Sequence, residues 1–215
     1  MRKKQLQVLL PVNWNEVSAL WYTIRVEGPE NSGIELDQSR ANSALLLGRV
    51  LFYIEEKIEY CLTELGSFAD GNSVPETASA VIGIAEENEG ILTGLLEILQ
   101  EQFTEEYLGS EGKITLTLKR EGPGALPGLH PVDLQKLVFY LIQLPDGVQK
   151  TAAPGSLQAD SYCHLNQAEL LPDGVHIRIC LGSRSESAGR MLADKLCYLT
   201  EFLGGDCQKM EQPDP

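Results

Sequence analysis

The sequence has no lysine, arginine or histidine between Lys57 and Lys113. Those 55 residues hold twelve carboxylates: Glu59, Glu64, Asp70, Glu76, Glu86, Glu87, Glu89, Glu97, Glu101, Glu105, Glu106 and Glu111. The whole chain has 31 acids against 17 Lys and Arg, so the stretch holds −12 of the −14 net charge. A field of this sign repels nucleic acid and anionic membrane and attracts basic partners. With a pI of 4.6 and no basic stripe, nucleic-acid binding is not expected.

Other absences narrow the reading further. No apolar run approaches the ~20 residues that cross a bilayer. The basic start Met1-Arg2-Lys3-Lys4 is followed by Gln5, Gln7 and Pro11, so no secretory apolar region forms and a cytoplasmic chain is expected. There are five cysteines, with no Cys-x-x-Cys, and no two histidines share ligand spacing. This argues against a zinc site and a disulfide framework, and for reduced thiols. No Glu-x-x-His motif accompanies the carboxylates, so no metal is expected. The segment Gly122-Pro123-Gly124-Ala125-Leu126-Pro127-Gly128 lacks the Lys and Ser/Thr of a phosphate loop, and its prolines remove N–H donors. No cofactor is expected.

What is present suggests a mixed fold. Residues 5–12 and 20–27 are branched and aromatic and read as strands. Asp37 reads as a helix N-cap. Ala44, Leu47, Leu51, Ile54, Ile58, Cys61 and Leu65 are spaced alternately by three and four, predicting one long helix over 38–65. Val81, Ile84, Asn88, Ile91, Leu95, Ile98 and Gln102 repeat the spacing and predict a second over 76–108. A ten-residue loop between them predicts an antiparallel hairpin. Ile114, Leu116 and Leu118 alternate as a strand, and 121–131, with its Gly and Pro, reads as a loop. Residues 131–142 fit a helix begun by Pro131, or a strand. Leu-Pro-Asp-Gly-Val occurs at 144–148 and 171–175, and the second copy predicts a hairpin joining 161–171 to 175–182. An Asp173-Gly174 loop would set Arg178 opposite Glu169. A last helix over 186–203 turns Met191, Leu192, the Lys195 stem, Leu196, Leu199 and Phe202 inward, and the tail 206–215 reads as frayed.

The expected architecture is therefore a single α+β domain over 1–205. A long acidic helical hairpin (38–108) packs on a small, mainly antiparallel sheet. The order over 113–203 resembles a ferredoxin-like half lacking its last strand, an analogy that implies no function.

The expected function is a non-enzymatic adaptor, assembly factor or regulatory subunit. Its docking surface on a protein partner or a second copy comprises Leu46, Tyr53, Tyr60, Glu86, Glu89, Glu97 and Glu101. The alternative is a small-molecule-binding domain or enzyme with its pocket between hairpin and sheet near Arg184, His176 and Arg178. Ser183, Arg184 and Ser185 open the last helix and are candidate anion contacts, although Ser183 and Glu186 match a capping box that satisfies the same N–H groups. Cys163 and His164 are adjacent on one strand and point apart, while Cys180 and His176 stand two pleats apart on one face. Neither is a ready nucleophile–base pair.

Overall fold

Leu6, Val8 and Leu10 alternate with Gln5, Gln7 and Leu9, a period-2 pattern that makes β1 (Arg2–Pro11) a strand with one buried face. The same logic forms β2 (Trp14–Glu27), where Leu20, Tyr22, Ile24 and Val26 are buried, and β4 (Thr77–Ile84), where Ala78, Ala80, Ile82 and Ile84 are buried. The other strands are β3 (Tyr60–Phe68), β5 (Thr115–Leu129), β6 (Gly147–Thr151), β7 (Ala159–Leu171), β8 (Gly174–Ser183) and β9 (Asp206–Glu211). The helices are α1 (Ser43–Glu55), α2 (Glu89–Glu106), α3 (Pro131–Gln143) and α4 (Glu186–Phe202), with a 3-10 turn at Glu86–Asn88. The structure, a computed structural model, describes residues 1–28, 41–69, 73–107, 113–152 and 158–211. No described helix is long and apolar enough to cross a membrane.

The strands form one antiparallel sheet in the order β5-β2-β4-β3-β7-β8-β1-β9, with β6 paired to β7. This order resolves into two copies of one plan. β2, α1, β3, β4, α2 and β5 form a β-α-β-β-α-β unit with strands ordered last, first, third, second. β1, α3, β7, β8, α4 and β9 form a second unit with the same order reversed across the sheet. The first unit is inserted between β1 and α3 of the second. The units join through the register Gly66 to Glu169, Ser67 to Ala168 and Phe68 to Gln167. Above the sheet, α1 meets α3 at Gly48, where an added Cβ would lie 2.8 Å from Leu141 Cβ.

The entry and exit of the insertion are tied. Asp133 is buried, and its Oδ2 accepts from Asn13 N at 2.8 Å and Asn13 Nδ2 at 2.9 Å. His130 N donates to Asn13 O at 2.9 Å. Burial opposes the charge on Asp133, but the Asn13 donors and Lys136 outweigh it and hold the carboxyl below its usual range. Asn42 caps α1 and reaches into the second unit, donating to Leu165 O at 2.9 Å. The inward faces of the strands and the buried faces of all four helices share one apolar cluster. Fully buried Leu47, Val50, Leu51 and Ile54 of α1 each contribute about 1.5–3 kcal/mol.

The long hairpin does not form, and the α+β expectation with a small sheet is corrected. Residues 60–68 and 77–84 are strands, so the first helix ends at Glu55 and the second begins at Glu89. A register shift between Leu62 and Glu64 turns both Leu62 and Leu65 inward, so Leu65 of the expected seam is buried while Cys61, adjacent to Leu62, does not share its face. In α2 the seam is inverted. Leu92, Leu96, Leu99 and Phe103 are buried, while Ile91 and Ile98 are exposed. Asp37 lies outside the described residues, and Asn42 is the observed cap.

The resemblance at 113–203 needs the same revision. The strand at 114–118 belongs to the inserted unit. The second unit takes its first strand from the N-terminus, and the tail supplies its last, β9. The β7–β8 turn comes one residue earlier than expected, so Glu169 faces His176 and Gln167 faces Arg178. Residues 122–129 are not a loop but the edge strand β5. Pro123 and Pro127, four apart on that edge, blunt it against further pairing. Pro131 does start a helix, α3, at its first turn. Cys197 and Cys207 form a disulfide between α4 and β9, with Cα atoms 5.2 Å apart, against the expectation of reduced thiols throughout.

Candidate functional site

A cleft of about 280 Å³ opens where β1 and β8 meet the start of α4. Its lining includes Arg2, Lys3, Lys4, Ser183, Ser185, Glu186 and Gly189. The antiparallel register sets Arg2 opposite Ser183 and Lys4 opposite Leu181. Arg2 and Lys4 share the parity of buried Leu6, so they stand on the α4 side of the sheet. Gly189 keeps the cleft open on the helix side, since a Cβ there would come within 3.0 Å of Ser183 Cβ.

Two polar systems shape the cleft. Ser185 caps α4, its Oγ accepting from Ala188 N at 3.4 Å, and Ser183 Oγ donates to Ser185 O at 2.8 Å. The cap is therefore two residues later than the Ser183–Glu186 box anticipated. Glu186 pairs with Arg2 and, at 3.0 Å, with Arg190. Arg2 first, then Arg190, hold its carboxyl below the ordinary glutamate range. The result is a site of net positive sign with one internal carboxylate already engaged. It is suited to a small anion that completes the pairing of Arg2 and Lys4.

Ser183 and Ser185 line this cleft, but Arg184 is exposed beside it, its backbone N–H donating to Asp160 O at 2.9 Å. Arg2 and Lys4 belong to the basic start Met1-Arg2-Lys3-Lys4, which by itself marks no site. The alternation Lys4, Leu6, Val8, Leu10 was the signal that they sit on an ordered strand.

The residues expected to form a docking face are dispersed. Leu46 is buried in the core on α1, and Tyr53 is half-buried on the same helix. Tyr60 begins β3 and donates to Leu51 O at 3.2 Å, and burial pushes its hydroxyl well above the usual tyrosine range. Glu86 is in the 3-10 turn, Glu89 lies 3.8 Å from Arg120, and Glu97 and Glu101 are exposed on α2.

Cys180 stands opposite His164, and His176 lies two pleats away along β8. Burial pushes the Cys180 thiol up to about 11, against the opposing effect of Arg178 and Lys3, so it is protonated at neutral pH. His176 Nε2 instead lies 3.0 Å from Asp173 Oδ1 on the surface. Among the described residues no three His, Cys, Asp or Glu side chains converge as a metal site.

No family model matches the chain, and no curated protein matches it in sequence. Among solved structures it is similar to an aminoacylhistidine dipeptidase from Vibrio alginolyticus, with a TM-score of 0.90 at 16% identity. The match covers 99% of this chain and 45% of that one, so the chain spans less than half the length of the protein it resembles. Amidases of the hydantoinase/carbamoylase family from Burkholderia vietnamiensis and Burkholderia multivorans match 65% of the chain at a TM-score of only 0.33. The expected non-enzymatic interaction module is overturned. The acidic hairpin that would have carried it does not exist, and the fold is one found within a peptidase.

Proposed function

We propose that this chain is the substrate-binding part of a hydrolase acting on small peptide or amide compounds. The cleft beside α4 takes the carboxylate end of such a compound. The observation that carries this reading is the superposition of nearly the whole chain on part of an aminoacylhistidine dipeptidase. The chemistry of the cleft supports it: Arg2 and Lys4 supply charge, and Gly189 leaves room. We assign substrate binding to this chain, which spans less than half the length of the dipeptidase it resembles.

Thermal unfolding of the chain with a series of dipeptides tests the reading. Dipeptides with a free C-terminal carboxylate raise the melting temperature, by about 2.7 kcal/mol of stabilisation at a hundred times Kd. The same peptides as C-terminal amides do not, and Lys4→Ala abolishes the shift. Equal shifts from acids and amides, or none from either, would sink the proposal.

A further inference from the structure

Helix α4 turns an apolar stripe to solvent. Met191 is 57%, Tyr198 71% and Phe202 76% exposed. With a 100° step these three and Lys195 fall within about a 60° arc. The opposite face, with Ala193, Leu196, Cys197 and Thr200, supplies the packing of the helix. Three large side chains along one arc over about three turns, with Lys195 between the first two, are more than the scattered exposed apolar residues of an ordinary surface.

We propose that this face binds the same face of a second copy, with the two α4 helices antiparallel about a two-fold axis. The stripe is self-complementary. A two-fold centred between Leu196 and Cys197 sets Met191 against Phe202 of the partner subunit and Lys195 against Tyr198 of the partner subunit, each pair twice. The charges follow the same symmetry. Arg190, which is 3.0 Å from Glu186 of its own helix, and Glu201 lie within about 20° of each other on one flank of the stripe, near its opposite ends. The two-fold keeps each flank on its own side and reverses its ends, so Arg190 comes within about two residues of Glu201 of the partner subunit. Asp194, on the same flank, is already paired with Lys209 at 2.5 Å.

Charge also explains the choice of face. Residues 14–129 hold 20 acids and 7 Lys and Arg, while the rest of the chain holds 11 and 10. Two copies meeting through α4 bring together surfaces near neutrality. Meeting through the exposed Ile91 and Ile98 of α2 would oppose two strongly acidic ones.

The test is sedimentation of the full chain across a concentration series. The wild type dimerises reversibly, and Tyr198→Glu with Phe202→Glu weakens the dimer about a hundredfold, as loss of central aromatic anchors does. Both positions are exposed, so circular dichroism, and melting at concentrations low enough for the wild type to be monomeric, remain as in the wild type. Arg190→Glu weakens the dimer, and adding Glu201→Arg restores it. In oxidant, Lys195→Cys cross-links while Phe202→Cys, about 16 Å from its symmetry mate, does not. A wild type that stays monomeric at every concentration overturns the proposal, as does a dimer indifferent to the Glu substitutions. Failure of the double charge swap to rescue overturns the antiparallel pairing.

Discussion

The two units of the sheet share one topology and differ in almost everything that meets solvent. The inserted unit, residues 14–129, has a net charge of −13, and the enclosing unit −1. The difference is sharpest at the corner where the third strand hands over to the second helix. In the enclosing unit that corner is Ser183 to Glu186, with Arg2 opposite Ser183, and it opens into the cleft. In the inserted unit Glu86, Glu87 and Glu89 occupy the turn, and buried Leu20 sits opposite Ile84 where Arg2 would be. The same backbone plan gives a basic opening in one copy and an acid-rimmed, filled corner in the other. Topology fixes where a site can lie, and single residues decide whether one is there.

If the two units are one cooperative body, cutting their tie must unfold both. Asp133→Ala removes a buried carboxylate and its charge-assisted bonds to exposed Asn13, and about 1.5 kcal/mol of stability is lost. Urea unfolding of this variant keeps a single transition at a lower midpoint. Two separate transitions would show that the nested units are independent.

The second contact between the units is steric. Gly48→Ala on α1 drives a methyl group toward Leu141 on α3, at a cost of about 1–2 kcal/mol. The smaller Leu141→Ala relieves the contact, so the double variant loses less than the sum of the two single ones. Strict additivity, measured by the same denaturant titration, would remove the inference that the helices are in direct apposition.

The smallest effect concerns the junction after α3. The Asp146 carboxyl lies 3.5 Å from the buried Asn42 amide, and burial of the carboxyl pushes it up to about 6 although the residue as a whole is exposed. Below about pH 4 the group is protonated in both folded and unfolded chains. Between about pH 4 and 6 the unfolded chain releases its proton first, so stability falls as pH rises through that window and stays lower above it. Asp146→Asn flattens this slope and adds about 1 kcal/mol at pH 7, a figure discounted for solvent screening. A pH series of melting temperatures that leaves the wild-type slope in the variant would assign it to another group.

Much of the second unit was legible because its signals are local. Pro131 opens α3, the Pro172-Asp173-Gly174 run makes the β7–β8 turn, and period 2 marks β8. The inserted unit misled because two patterns coincide there. The bulge after Leu62 breaks the period of two in β3, and Ile91 and Ile98 place an apolar stripe on the wrong side of α2. Both are consistent with a helical repeat, and only the sheet neighbours break the tie. The cleft was half visible. Ser183 and Ser185 announce a helix start, but Arg2 and Lys4 are some 180 residues away and reach it only because β1 pairs with β8.

By itself the sequence determined the local choices: that a tight turn falls near Asp173-Gly174, that a helix begins close to Glu186, and that the charge of the chain is concentrated in one segment. These depend on residues within a few positions of one another, whose preferences act before any long-range contact forms. Only the tertiary structure decided that β1 and β9 complete a unit begun and ended far apart, and that one unit lies inside the other. It also decided which side of α2 is buried. Pairing between distant strands depends on the shape and register of surfaces that neither strand encodes alone.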